Sequence, residues 1–172
     1  IAYADPGFFR LFDFELLKGD RASCLSMPGQ VVITERIARK YFRDEEPMGK
    51  ILVFNSNIGK VSCEVTGVMK EMPSNSHIHY NFLLSYKSLP KWVQEYWYKH
   101  ETYTYVLLDS QERKEEIERA FPGMAEKYKT EEALKNKTWG VRLVPLEDIH
   151  LTPQLGYEAE QKGNRSAIIA LV

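Results

Sequence analysis

The stretch Val31-Val-Ile-Thr-Glu-Arg-Ile-Ala-Arg-Lys-Tyr-Phe42 decides the fold class, because its hydrophobic pattern changes period partway along. Val31, Val32 and Ile33 are β-branched and read as a brief strand. Thr34 ends it, and a threonine hydroxyl there can accept from a backbone N–H of the next turn and so cap a helix. Ile37, Ala38, Tyr41 and Phe42 then fall at the spacing of one helical face. A strand running straight into an amphipathic helix fits a fold that mixes both element types, and the chain is read as α+β. Pro47-Met-Gly49 closes the unit with a turn.

Upstream, Phe8, Phe9, Leu11 and Phe12 follow a Pro-Gly pair at near-helical spacing and predict a helical turn pressing aromatics into a core; Phe14–Leu17 leads out to a Gly19-Asp20 turn. Downstream, Ile51–Phe54 and Val61–Met69 predict a hairpin across Asn55-Ser-Asn-Ile-Gly59, whose residues tolerate positive φ. Phe82–Leu84 predicts another strand, and Leu89–Tyr98 an aromatic-rich, partly helical stretch. Beyond it, Tyr103–Leu108 reads as a strand, and Asp109–Glu116 opens a helix whose face carries Ile117, Ala120, Phe121, Met124 and Tyr128. Pro122 is expected to kink or interrupt that helix. Trp139–Leu146 predicts the next strand, so strand, helix and strand from about Thr102 to Leu146 form a second lobe, bounded near His100.

The chain has 172 residues, 44% of them apolar, enough for a core without metal or disulfide staples. Its 23 basic and 24 acidic side chains give a formal charge of -1, which supplies no electrostatic footprint for nucleic acid. No run on the order of eighteen apolar residues occurs, so nothing within the chain is long enough to span a bilayer as a helix. The closing Ser166-Ala-Ile-Ile-Ala-Leu-Val172 fits either the first turns of a membrane helix or a buried terminal element. Cys24 and Cys63 are too few and too far apart for a thiolate zinc site or a C-x-x-C redox motif, leaving buried free thiols or a disulfide.

Several segments, in order, resemble the MacB-like periplasmic core domain of MacB/FtsX-type ABC transporter permeases. They are Tyr3-Ala-Asp-Pro-Gly-Phe-Phe-Arg-Leu-Phe12, Leu16-Leu-Lys-Gly-Asp20, the Val31–Phe42 stretch with Pro47-Met-Gly-Lys50, and Val65-Thr-Gly-Val68. Pro73-Ser-Asn-Ser-His-Ile-His79 and Val144-Pro-Leu-Glu-Asp-Ile-His-Leu151 are similar to the variant common among Bacteroidetes. The resemblance implies two lobes, a β-rich sabre-like lobe over residues 1–100 and the second half of a porter-like βαβ lobe over 101–162. Residues 163–172 would then lead into the second transmembrane helix of the parent protein.

The implied role is coupling rather than chemistry, at the periplasmic face of the inner membrane and within an integral membrane protein, this segment itself being soluble. Export and mechanotransmission are both compatible with it. The implied partners are a cytoplasmic ABC ATPase subunit, a second permease copy or a paralogue, and a periplasmic or outer-membrane protein. No cofactor is expected in this domain, with ATP used by the separate subunit. A secreted ligand-binding or adhesion domain is the alternative.

Catalytic patterns are weak. No G-x-S-x-G and no phosphate-cradling glycine motif occurs, and Glu45, Glu46 and the Glu112–Glu118 run read as solvated charges. His77 and His79 would point the same way on an extended segment and share a metal, but a third ligand is not evident, and loop histidines also serve as hydrogen-bond partners. Trp92, Tyr96, Trp97 and Tyr98 are the candidate partner-binding residues, because exposed Trp and Tyr are enriched where proteins bind one another; the same rings fit a core equally well.

Overall fold

A computed structural model describes residues 1–56, 59–95, 102–128 and 135–151. Its elements are β1 (Ala2–Ala4), α1 (Phe8–Leu11), β2 (Leu16–Lys18), β3 (Gln30–Thr34), α2 (Glu35–Phe42), β4 (Ile51–Ser56), β5 (Gly59–Met69), β6 (Phe82–Ser85), α3 (Lys91–Gln94) and α4 (Gln111–Tyr128), with short 3-10 turns at Tyr86–Ser88 and Leu146–Leu151. Two compact units divide the chain, Ile1–Tyr96 and Trp97–Val172.

The first unit is a mixed sheet of six strands in the order β1-β6-β3-β5-β2, with β4 paired to β5 off that path. The strand expected at Val31–Ile33 is β3, parallel to β5 on one side and antiparallel to β6 on the other. Strand β5 pairs with β3 over Glu64–Met69, with β4 over Gly59–Glu64 and with β2 at Val68 and Met69. Since a strand has two edges, β2 and β4 must follow one another along the edge opposite β3.

Alternation along β3 sends Val31 and Ile33 into a buried cluster with Ile37, Cys63, Val65, Val68 and Leu84. Helix α2 lies over that face because Thr34, itself buried, accepts a hydrogen bond from Ile37 N–H at 3.4 Å and starts the helix where the strand stops. Burying Ile37 contributes about 1.5–3 kcal/mol, more than the cap's ~1 kcal/mol, so packing rather than capping anchors the helix. Tyr41 departs from the expected stripe: it is 56% exposed, its ring meeting Phe82 edge-on at 6.4 Å at the margin of the cluster. On the other face lie Val32 and Leu83, and the chain entering β3 is fastened from behind. There Thr66 Oγ1 donates to Cys24 O at 2.6 Å and Ser85 Oγ to Leu25 O at 3.0 Å.

The expected helical turn near Phe8–Phe12 is α1, with Phe9 buried and the rings of Phe8, Phe12 and Phe14 at 5.1–5.8 Å from one another. Arg21 holds this cluster's backbone, Nη2 donating to Phe9 O at 2.9 Å and Nη1 to Phe14 O at 3.1 Å. Gly19 closes β2 onto β5: at φ 96 any Cβ would fall on Thr66 O. The hairpin is β4–β5, with register unbroken from Ile51↔Glu64 to Ser56↔Gly59 and so tighter than the five-residue loop the sequence suggested.

In the second unit, α4 is the expected helix, but it runs unbroken through Pro122 to Tyr128. A proline removes one amide donor, yet the helix continues past it, with Ala125 buried and Ile117 and Phe121 half-buried on one face. The strands expected at Tyr103–Leu108 and Trp139–Leu146 are absent among the described residues. An alternating pattern makes a strand only where a neighbour completes the ladder. Instead Leu143 N–H donates to the Glu118 carboxylate at 2.7 Å, a side chain standing where a strand partner would be. The partial βαβ lobe therefore reduces, among the described residues, to a helix flanked by irregular backbone.

Candidate partner-binding surface

Trp92 lies on the short helix α3 and is 56% exposed. Pro90 opens that turn, its carbonyl accepting from Val93 and Gln94 N–H, so Trp92 stands on a hydrogen-bonded turn. Tyr96, Trp97 and Tyr98 lie outside the described residues.

The two histidines have separate occupations. Ser76 and His77 sit in a bend, so the extended geometry that would align the two rings does not hold. His79 Nε2 meets Pro73 O at 2.9 Å, and the His77 ring lies 5.8 Å from Phe12. Among the described residues no three His, Cys, Asp or Glu side chains gather in a way that would hold a metal ion.

A groove of about 390 Å³ runs beside α2, between Leu17 and Lys18 of β2 and the Arg43–Pro47 turn. Its charges are largely matched, Lys18 with Glu46 at 2.6 Å and Arg39 with Glu35 at 2.8 Å. The hydrogen bond from Lys50 holds the Glu45 carboxyl below its usual range, and that from Lys18 does the same for Glu46. Both are therefore carboxylates at neutral pH and poor proton donors, the opposite of what a general acid needs. Arg43 at the groove's rim has φ 53 and ψ −113, and Glu45 N–H donates to Phe42 O at 2.9 Å. That is a type II′ turn with arginine where glycine is favoured.

Cys24 and Cys63 are buried free thiols. Burial pushes Cys24 up to about 11 and raises Cys63 as well, so neither is a thiolate nucleophile at neutral pH. Burial, with a smaller contribution from Cys63, also raises the Tyr3 phenol.

Two exposed features escaped the sequence pattern. Ile51 is 60% and Val53 50% exposed on the outer face of β4, where an apolar run gave no sign of which face is covered. Tyr41 joins a ring cluster through Phe82, itself edge-on to Phe54 at 5.4 Å; the cue was its place at the edge of the α2 stripe.

Residues 1–123 match the family model of the MacB-like periplasmic core domain. No curated protein matches the chain. Among solved structures, a domain of a protein described as a permease from Porphyromonas gingivalis is similar at 24% identity and a TM-score of 0.60, over 83% of this chain and 66% of that one. The periplasmic region of MacB from Actinobacillus actinomycetemcomitans aligns at 16% identity and a TM-score of 0.43, over 72% of this chain and 53% of that one. The chain thus spans about two thirds of the first structure and about half of the second. With its mixed sheet placed beside the Porphyromonas fold and its family model covering the whole first unit, the chain belongs to the MacB-like periplasmic core domain family.

Proposed function

We propose that this domain is the periplasmic lever of an ABC-type permease, transmitting movement driven by ATP hydrolysis on a cytoplasmic ATPase subunit and breaking no bonds itself. The observation that carries the reading is the family match over residues 1–123, which covers the sheet unit from end to end. The sheet unit suits such work. Strand β5 bonds to three other strands, and α2 is packed onto them through a closed apolar cluster, so a push at one end is not absorbed by internal rearrangement. Coupling of this kind needs contacts that differ between two states. Trp92, with Tyr96, Trp97 and Tyr98 beside it in sequence, is the proposed contact with an envelope protein, and the formal charge of -1 argues against a nucleic acid partner.

The test is affinity purification of the full-length parent protein from detergent-solubilised membranes. Co-purification of an ABC ATPase in stoichiometric amount is expected, with an envelope protein that is lost on Trp92→Ala. Recovery of the protein without any ATPase contradicts the reading.

A further inference from the structure

Strand β4 is the longest open edge of the sheet unit among the described residues. It pairs with β5 alone, and its register runs without a bulge. Val65 N–H donates to Lys50 O at 2.8 Å, and Glu64 N–H donates away from β4, to Gly29 O. Alternation therefore turns the backbone groups of Leu52, Phe54 and Ser56 toward β5, and those of Ile51, Val53 and Asn55 outward. The outward positions carry side chains on one face, where Ile51 and Val53 are half exposed or more. Natural sheets guard such an edge with a charge, a proline or a bulge, because unpaired N–H and C=O groups are a template for another strand. Ile51-Leu-Val-Phe-Asn-Ser56 has neither charge nor proline.

We propose that β4 pairs with β4 of a second copy of this chain, antiparallel about a two-fold axis through Val53. In that register Val53 faces the partner's Val53, and Ile51 faces the partner's Asn55. Every outward N–H and C=O then meets an outward group, and the apolar side chains of Ile51 and Val53 from both copies close over one another. Charge favours this orientation over a parallel one. The same face of β5 carries Lys60 and Glu64 at its two ends, both exposed, and the two-fold sets Glu64 in one row with the partner's Lys60. The two lie three strand spacings apart, about 14 Å, which exceeds the screening length at physiological salt, so this preference acts at low ionic strength and adds little affinity. The pairing asks only for two copies of this chain; within an assembled permease it would close in one state of the cycle and open in the other, and its test on the chain alone stands apart from the transport reading.

Sedimentation velocity of the chain across a concentration series tests it. The expected result is a mass that doubles with concentration and returns to the monomer in Val53→Lys. Val53→Cys provides a second readout, because facing residues of a hydrogen-bonded antiparallel pair have Cα atoms about 5.5 Å apart, within disulfide reach. Mild oxidation of Val53→Cys is expected to give a covalent dimer, while Ser62→Cys, one strand back on the same face, does not link. A monomer at every concentration, a dimer that survives Val53→Lys, or linking of Ser62→Cys as readily as Val53→Cys overturns the proposal. Were Val53→Lys to lose its fold by circular dichroism, the pair of cysteine variants decides alone.

Discussion

At Arg43 the chain accepts a backbone conformation that L-residues avoid, φ 53 in a type II′ turn, in order to leave α2 and reach Pro47. Such strain costs about 1–3 kcal/mol, while glycine in its place costs about 0.5–1 kcal/mol through the freedom of the unfolded chain. Arg43→Gly is therefore expected to stabilise the protein by about 1 kcal/mol in urea denaturation; an unchanged or lowered midpoint would show the turn to be relaxed. Arg21 is the opposite case, since its guanidinium ties together the carbonyls of Phe9, Phe12 and Phe14. Removing it strands those groups, and Arg21→Met should cost about 2 kcal/mol by the same measurement. The thiols add a pH dependence. Cys24 and Cys63 hold their protons more tightly in the folded state, so their contribution is complete below the ordinary thiol value of 9.0 and falls away as pH rises toward about 11 at Cys24. Cys24→Ala is expected to flatten the loss of stability over that alkaline window, and an unchanged alkaline limb would rule the thiol out as its source.

Among the elements, β3 and α2 were legible in sequence because a change of period and a capping threonine mark their junction, and the structure keeps both. The hairpin was legible for a similar reason, two apolar runs about a turn-rich loop. Tyr103–Leu108 misled because alternation reports side chains and is silent about whether a neighbour completes the ladder. Tyr41 misled because four apolar residues at helical spacing define a stripe wider than the sheet beneath can cover. Truncation of the stripe measures this difference directly. Ile37→Ala should cost about 2–5 kcal/mol and Tyr41→Ala less than about 1 kcal/mol. Equal costs would mean that α2 is seated differently. The contact surface was the least legible part: a string of aromatics has no period that separates core from interface, and of the four only Trp92 lies among the described residues, where it is exposed.

For the whole molecule, the proposed lever requires a stiff sheet unit that a membrane protein carries and moves as one piece. Double electron–electron resonance on the full-length permease, reconstituted with its ATPase and spin-labelled at exposed Lys87 in the sheet unit, reads that motion across two copies. A second label at exposed Lys60 in the same unit reports its internal geometry. The predicted result is a shift of the Lys87–Lys87 distance between the nucleotide-free and the vanadate-trapped states, with the Lys60–Lys87 distance inside one unit unchanged. A between-copy distance that stays fixed through the ATPase cycle, or an internal distance that changes with it, would contradict the lever.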